Sequence, residues 1–311
     1  MGRTDGPCIA VTGATGFIGS ILCQRLIQAG FAVRALARTP ARGQLLQSLG
    51  VELIIGDLGD RDALVRLIGG CETVVHAAGA VRGNSQEDFD AVNVAGTSAL
   101  LRSVRAQASE PHVLLLSSLT AREPQLSWYA RSKAAAEALV RDTAQSWLVV
   151  RPPAVYGPGD REMLPVFKSM ARGFAPVPGS LQARFSLVHV ADLTDAILAC
   201  LHCPESVGLT LTLCDGKAEG YSWPELAAEA GHVFGRRVRL WRVPHWLLNS
   251  AARVNVGLAG ASGRKAMLTP PKLRELRHTD WVVDNVEITH STGWEPAIPL
   301  REGLERLRVD L

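Results

Sequence analysis

The first half of the chain repeats one pattern: a short, almost wholly apolar run, a segment of helix length, then another apolar run. The runs are Cys8–Thr12, Ala32–Ala37, Val51–Gly56, Thr73–Ala77, Val113–Ser117 and Trp147–Arg151. Between them lie helical segments such as Ile18–Ala29, Asp62–Leu67, Asp88–Gln107 and Ser132–Gln145. A strand that is apolar along its whole length must be covered on both faces, and helical crossovers between parallel neighbours do this. The pattern predicts an α/β fold with a Rossmann-type, doubly wound parallel sheet.

After Arg151 the regularity is lost, and prolines and glycines accumulate from Pro152 to Gly179. A strand-like Arg184–His189 and a helix over about Ala191–His202 are expected to return to the sheet. Residues 1–165, joined by 184–215, are therefore assigned to the sheet domain. Residues 166–183 and 216–311 are assigned mainly to a small C-terminal substrate lobe, with helices near Trp223–Phe234 and Pro244–Leu258.

Composition excludes more than it identifies. The 33 basic and 30 acidic side chains leave a net charge of +3, which gives no electrostatic reason to bind nucleic acid. No signal-peptide pattern opens the chain, and no apolar stretch reaches the roughly twenty residues of a membrane span. A cytoplasmic protein is expected. The apolar Pro244–Leu258 segment leaves peripheral contact with the inner membrane open, and a homodimer is open too. Cys200 and Cys203 form a C-x-x-C with no second pair or histidine cluster, so buried thiols are expected rather than a metal.

The segment Thr12-Gly13-Ala14-Thr15-Gly16-Phe17-Ile18-Gly19 follows the first strand and opens the first helix. Glycines at three-residue intervals allow a tight turn, close approach of backbone to a pyrophosphate, and close helix–strand packing. The anion would rest on the helix N-terminus, against free amides and the positive end of the dipole. Gly13, Thr15, Gly16, Phe17, Ile18 and Gly19 are thus candidate cofactor contacts. An acid at the end of the second strand usually marks NAD specificity, but here the strand ends Leu36-Ala37-Arg38-Thr39. Arg38 offers a guanidinium fork to a 2′-phosphate instead, so NADP(H) is the expected cofactor, with NAD(H) left open. Asp57 and Leu58 end the third strand, where the aspartate could accept from the adenine amino group. Ala77, Ala78 and Gly79 end the fourth and supply small residues against the cofactor.

Tyr129-Ala130-Arg131-Ser132-Lys133 is a Y-x-x-x-K, and positions i and i+4 share a helix face. A nearby ammonium would lower the phenol pKa and ease proton exchange with a carbonyl or alcohol oxygen. The motif lies one helix after a strand ending Ser117-Ser118. Ser118, further past the strand edge, is the preferred donor to the substrate oxygen, with Ser117 as a turn residue. Asn93 is expected mid-helix, where a role anchoring a water or the lysine would explain it.

With these segments, Arg151–Gly159 and His189-Val190-Ala191-Asp192, the chain resembles the extended short-chain dehydrogenase/reductases along nearly its whole length. The resemblance implies a Ser118–Tyr129–Lys133 catalytic group, and a nicotinamide pocket bordered by the arginine–proline segment, hence by Pro152 and Val155. One departure is that Ser118 and Tyr129 stand only 11 residues apart, closer than in many sugar-nucleotide members.

Trp241–Leu248, Met267-Leu268-Thr269-Pro270, Trp281-Val282-Val283-Asp284 and Thr292–Pro296 look like the 3β-hydroxysteroid dehydrogenase branch, which acts on lipid-like alcohols and ketones. More narrowly, Leu126-Ser127-Trp128-Tyr129 and Arg264–Asp284 resemble bacterial ceramide reductases of sphingolipid synthesis, which implies a 3-oxosphinganine or 3-oxoceramide ketone as partner. Two alternatives stand beside this reading. One is a sugar-nucleotide epimerase or dehydratase with tightly held NAD, its diphosphate met by Arg161, Arg172 and Arg184. The other is a non-catalytic assembly subunit that binds NADP(H) structurally.

Overall fold

The computed structural model describes residues 6–262 and 265–307, so Arg264 falls outside the described residues. The chain begins β1 (Cys8–Thr12), α1 (Phe17–Gln28), β2 (Ala32–Ala37), α2 (Pro40–Ser48), β3 (Glu52–Ile55), α3 (Arg61–Ile68) and β4 (Thr73–His76). It continues with α4 (Gln86–Asn93), α5 (Ala95–Arg105), β5 (His112–Leu116), α6 (Trp128–Thr143), β6 (Trp147–Arg151), β7 (Ala154–Tyr156), α7 (Leu164–Ala171) and β8 (Phe174–Val177). Then come β9 (Arg184–Phe185), β10 (Leu187–His189), α8 (Val190–Leu201), β11 (Thr210–Thr212), β12 (Tyr221–Ser222) and α9 (Trp223–Phe234). The last elements are β13 (Arg239–Arg242), α10 (His245–Ala261), α11 (Pro270–Arg277), β14 (Asp280–Trp281), α12 (Val286–Thr292) and α13 (Leu300–Leu307).

Seven strands form one wholly parallel sheet in the order β11-β6-β5-β4-β1-β2-β3. Its interior strands bury nearly every side chain, which explains their unbroken apolar sequences. One face packs on α1 and α8 through Leu22, Leu26, Leu193 and Ile197. The other packs on α3, α5 and α6 through Leu64, Leu67, Leu100, Val104 and Val140. Strand order reverses between β1 and β4, and at such a switch point the loops splay apart to leave a crevice at the C-terminal strand ends.

A third apolar cluster, including Tyr156, Phe167, Met170, Leu226 and Leu304, forms the core of the smaller lobe. There β13 pairs with β8, and β9 lies between β12 and β14. The stretch 184–189 is two strands, not one. Arg184 and Phe185 join the lobe's three-stranded sheet, while Leu187–His189 pairs with β7. The predicted helix Asp88–Gln107 is likewise two, broken at Val94 (φ −101°, ψ −60°). Here the Thr97 hydroxyl donates to the Asn93 carbonyl at 2.6 Å, back-bonding of the kind that bends a helix.

Candidate active site

The glycine loop leaves β1 at the switch point. Gly13 has φ +73°, and a Cβ there would stand 2.5 Å from backbone atoms of Ala77 and Ala78. A Cβ on Gly19 would meet the Gly13 carbonyl oxygen at 2.2 Å. Both positions therefore require glycine. Gly16 is the N-cap of α1 and makes no side-chain cap, so the first amides, including those of Phe17, Ile18 and Gly19, are available to an anion. Thr15 is half-buried in the same turn. A backbone cradle that any Cβ would fill, facing an uncapped helix end, fits a dinucleotide pyrophosphate.

Arg38 is exposed immediately after β2 and, among the described residues, makes no hydrogen bond or ion pair. Asp57 is also exposed, and one of its oxygens accepts from the Gly59 amide at 2.8 Å. Leu58 packs where a Cβ on Gly96 would fall, 2.6 Å from its methyl. Ala77 and Ala78 are half-buried beside Gly13, and Gly79 faces Asn93 and Lys133. Pro152 is buried, its carbonyl accepting from the Leu119 amide at 2.8 Å, and Val155 lies half-buried on β7.

A buried chain of hydrogen bonds ties the loop after β1 to the helices beyond β4. The Ala78 amide donates to Thr12 Oγ1 at 3.3 Å, and Thr12 Oγ1 lies 2.6 Å from His76 Nδ1. His76 Nε2 lies 2.9 Å from Thr97 Oγ1, whose proton is already given to the Asn93 carbonyl. Nε2 must then carry the hydrogen, and in the neutral ring Nδ1 accepts from the Thr12 hydroxyl. Burial, with the Lys133 charge as a smaller cause, holds the His76 pKa down at about 3.

Asn93 extends this network. Its carbonyl oxygen accepts from the Ala80 amide at 2.7 Å, and its amide nitrogen donates to Ala80 O (3.1 Å) and Ser132 Oγ (2.8 Å). Sequence reasoning expects Asn93 mid-helix, anchoring a water or the lysine. In the structure it ends α4 and joins the loop after β4 to α6, the helix of Tyr129 and Lys133, through Ser132. Lys133 is held elsewhere: its ammonium donates to the Leu116 carbonyl at 2.7 Å, at the end of β5. Burial lowers the Lys133 pKa to about 8, opposed by the charge of Glu137.

Ser118, Tyr129 and Lys133 come together at the C-terminal edge of β5. Ser118 caps a short turn of 3₁₀ helix, Leu119–Arg122, and accepts from the Thr120 hydroxyl at 3.0 Å. Tyr129 lies in the first turn of α6, whose N-cap is Ser127. Its phenol is pushed up to about 12, chiefly by burial; a hydrogen bond with Ser118 pulls it down, and the Glu275 and Glu162 charges raise it. The expected lowering by Lys133 is therefore not found, because that ammonium is turned to Leu116. Ser117 is no turn residue either. It is buried and donates to Glu137 at 2.5 Å, and Glu137, itself fully buried, also holds Arg151 and Arg141.

Sequence reasoning misses the contribution of α11. The Ser127 hydroxyl donates to Glu275 at 2.6 Å, Glu275 pairs with Lys272, and the Lys272 ammonium stands 5.4 Å above the Tyr129 ring. Phe89 approaches the same ring at 6.2 Å. Glu275 lies 148 residues from Ser127, so no local signal could have joined them.

Residues 9–209 match the NAD dependent epimerase/dehydratase family. The chain belongs to this family. It is thus an extended short-chain dehydrogenase/reductase, an enzyme class that works with NAD(P). The chain is 39% identical to a ceramide reductase of Caulobacter vibrioides over 88% of its length and 85% of that protein's. It is 32% identical to a 2-alkyl-3-oxoalkanoate reductase of Shewanella oneidensis, over 52% of this chain and 48% of that one. A UDP-glucuronic acid 4-epimerase from Bacillus cereus, in complex with UDP-glucuronic acid and NAD, superposes with a TM-score of 0.72 at 20% identity. That match covers 96% of this chain and 97% of the epimerase, and at that identity it speaks for the fold alone.

Proposed function

We propose that this enzyme reduces the ketone of a lipid-like substrate with NADPH, and that the substrate class is the 3-oxo-sphingoid lipids, 3-oxosphinganine or its N-acyl form. The observation that carries the reaction is the Ser118–Tyr129 pair just past the end of β5. The substrate class rests on similarity to the Caulobacter ceramide reductase, with the oxoalkanoate reductase pointing to ketones more generally.

The bound nicotinamide would supply a hydride to the carbonyl carbon. The protein's own groups do the rest. Gly13, Gly16 and the first amides of α1 would hold the pyrophosphate, and Pro152 and Val155 would border the nicotinamide. Arg38, exposed and without a partner among the described residues, supports the choice of the 2′-phosphorylated cofactor. Ser118 donates to the substrate oxygen, and Tyr129 gives its proton to the same oxygen as negative charge develops. A phenol kept at about 12 is fully protonated at neutral pH, the form that reduction requires. Lys133 stands one turn along α6, its ammonium anchored on the Leu116 carbonyl at the end of β5.

Tyr129→Phe removes the proton donor without disturbing the helix. It should lower turnover by about 10²–10⁴-fold while NADPH still binds. A phenylalanine variant with wild-type turnover would remove Tyr129 from the mechanism.

A further inference from the structure

Between Glu229 and Glu275 the chain carries nine arginine and lysine residues and no acidic one, although its overall net charge is only +3. Arg236, Arg237, Arg239, Arg242 and Arg253 are all exposed. Among the described residues none of the five enters an ion pair. Their charge therefore faces outward uncompensated.

The same segment turns four large apolar groups outward. Among its described residues helix α10 buries only two alanines, Ala252 and Ala259, while Trp246, Val254 and Leu258 are 69%, 59% and 67% exposed. Spacings of eight and four residues put these three along one flank. Trp241, on the strand leading into the helix, is 52% exposed. A helix in water normally does the reverse, and a contiguous apolar flank of this kind marks a surface that is covered in use.

We propose that α10 and the β13 strand before it dock on an anionic lipid surface. Arginines beside outward tryptophans match a negatively charged headgroup layer, where tryptophan rings are favoured. At 17 residues α10 is about 25 Å long, short of the ~30 Å hydrocarbon core, and Arg253 sits near its middle. It would therefore lie in the interface rather than cross it. Helix α10 packs on α11, and Arg277 of α11 donates to the His245 carbonyl at the start of α10. Lys272 and Glu275 of the same α11 reach Tyr129 and Ser127. The lipid face is thus one helix from the catalytic face. The inference rests on this surface alone and stands whichever ketone is reduced.

The test is co-sedimentation of the full chain with vesicles of phosphatidylcholine alone or with added phosphatidylglycerol, with thermal melting to show that each variant folds. Binding should be at least about tenfold stronger on the anionic vesicles and should weaken with salt. Trp246→Glu with Leu258→Glu should abolish it, and Arg242→Gln with Arg253→Gln should weaken it about tenfold. No binding by the wild type, or equal binding to both vesicles, overturns the proposal. So does a wild-type dimer that Trp246→Glu with Leu258→Glu splits into monomers, since the face would then belong to a second copy of the chain.

Discussion

The Ser127 hydroxyl donates to the Glu275 carboxylate at 2.6 Å, tying the N-cap of α6 to α11. Both groups are buried. Glu275→Ala leaves that hydroxyl and the Lys272 ammonium without their acceptor. An unsatisfied buried polar group costs about 1–3 kcal/mol, so melting should fall by several degrees, at roughly 2–4 °C per kcal/mol. Turnover should fall with it, because Tyr129 lies two residues past the cap. Glu275→Gln keeps an acceptor and should recover at least about half of both losses. Melting and kcat for the two variants check this.

The glycine loop gives a second prediction. Gly13→Ala puts a methyl 2.5 Å from the backbone of Ala77 and Ala78 at a positive φ that side chains rarely adopt. The loops after β1 and β4 must separate to accept it. NADPH affinity, measured by fluorescence titration, should drop at least about tenfold, since the amides no longer converge on the pyrophosphate. Unchanged affinity would show that this turn does not hold the cofactor.

Lys133 governs the alkaline side. Burial lowers its pKa from 10.5 to about 8. Below pH 8 it is charged whether folded or unfolded. Between about 8 and 10.5 only the unfolded chain binds the proton, so this group's contribution to stability increases with pH across that window. Activity should move the other way, with kcat/KM declining above about pH 8 as the ammonium is lost. Tyr129, at about 12, does not titrate there. A pH–rate profile flat through this window would contradict the assignment.

Arg38 sets cofactor choice in the proposed function. Arg38→Ala should raise KM for NADPH about tenfold or more, the worth of a charge-assisted contact, and leave NADH nearly unaffected. Equal effects on both cofactors would show that Arg38 does not meet the 2′-phosphate.

What could be read from sequence is what repeats locally. The six apolar runs became β1–β6 because burial on both faces leaves an uninterrupted signal, and the glycine spacing marked the turn after β1. Helix α2 escaped notice because it buries only Gly43 and Leu46, too little for an apolar stripe. The break at Val94 was hidden because it depends on the Thr97 hydroxyl and on Asn93 reaching Ala80 and Ser132. Ser117 looked like a turn residue because its partner, Glu137, arrives from α6. The Tyr129 environment is hidden from the sequence for the same reason. Spacing alone joins it to Lys133, whereas the groups that shift its phenol are burial, Ser118, Glu275 and Glu162.

The most direct test of the proposed function is NADPH consumption by the purified protein given 3-oxosphinganine or 3-oxoceramide in mild detergent, with NADH run in parallel. Loss of reduced-nicotinamide absorbance with NADPH, several-fold faster than with NADH and absent in Tyr129→Phe, is the expected result. No consumption with either cofactor on either lipid would contradict a sphingoid ketoreductase.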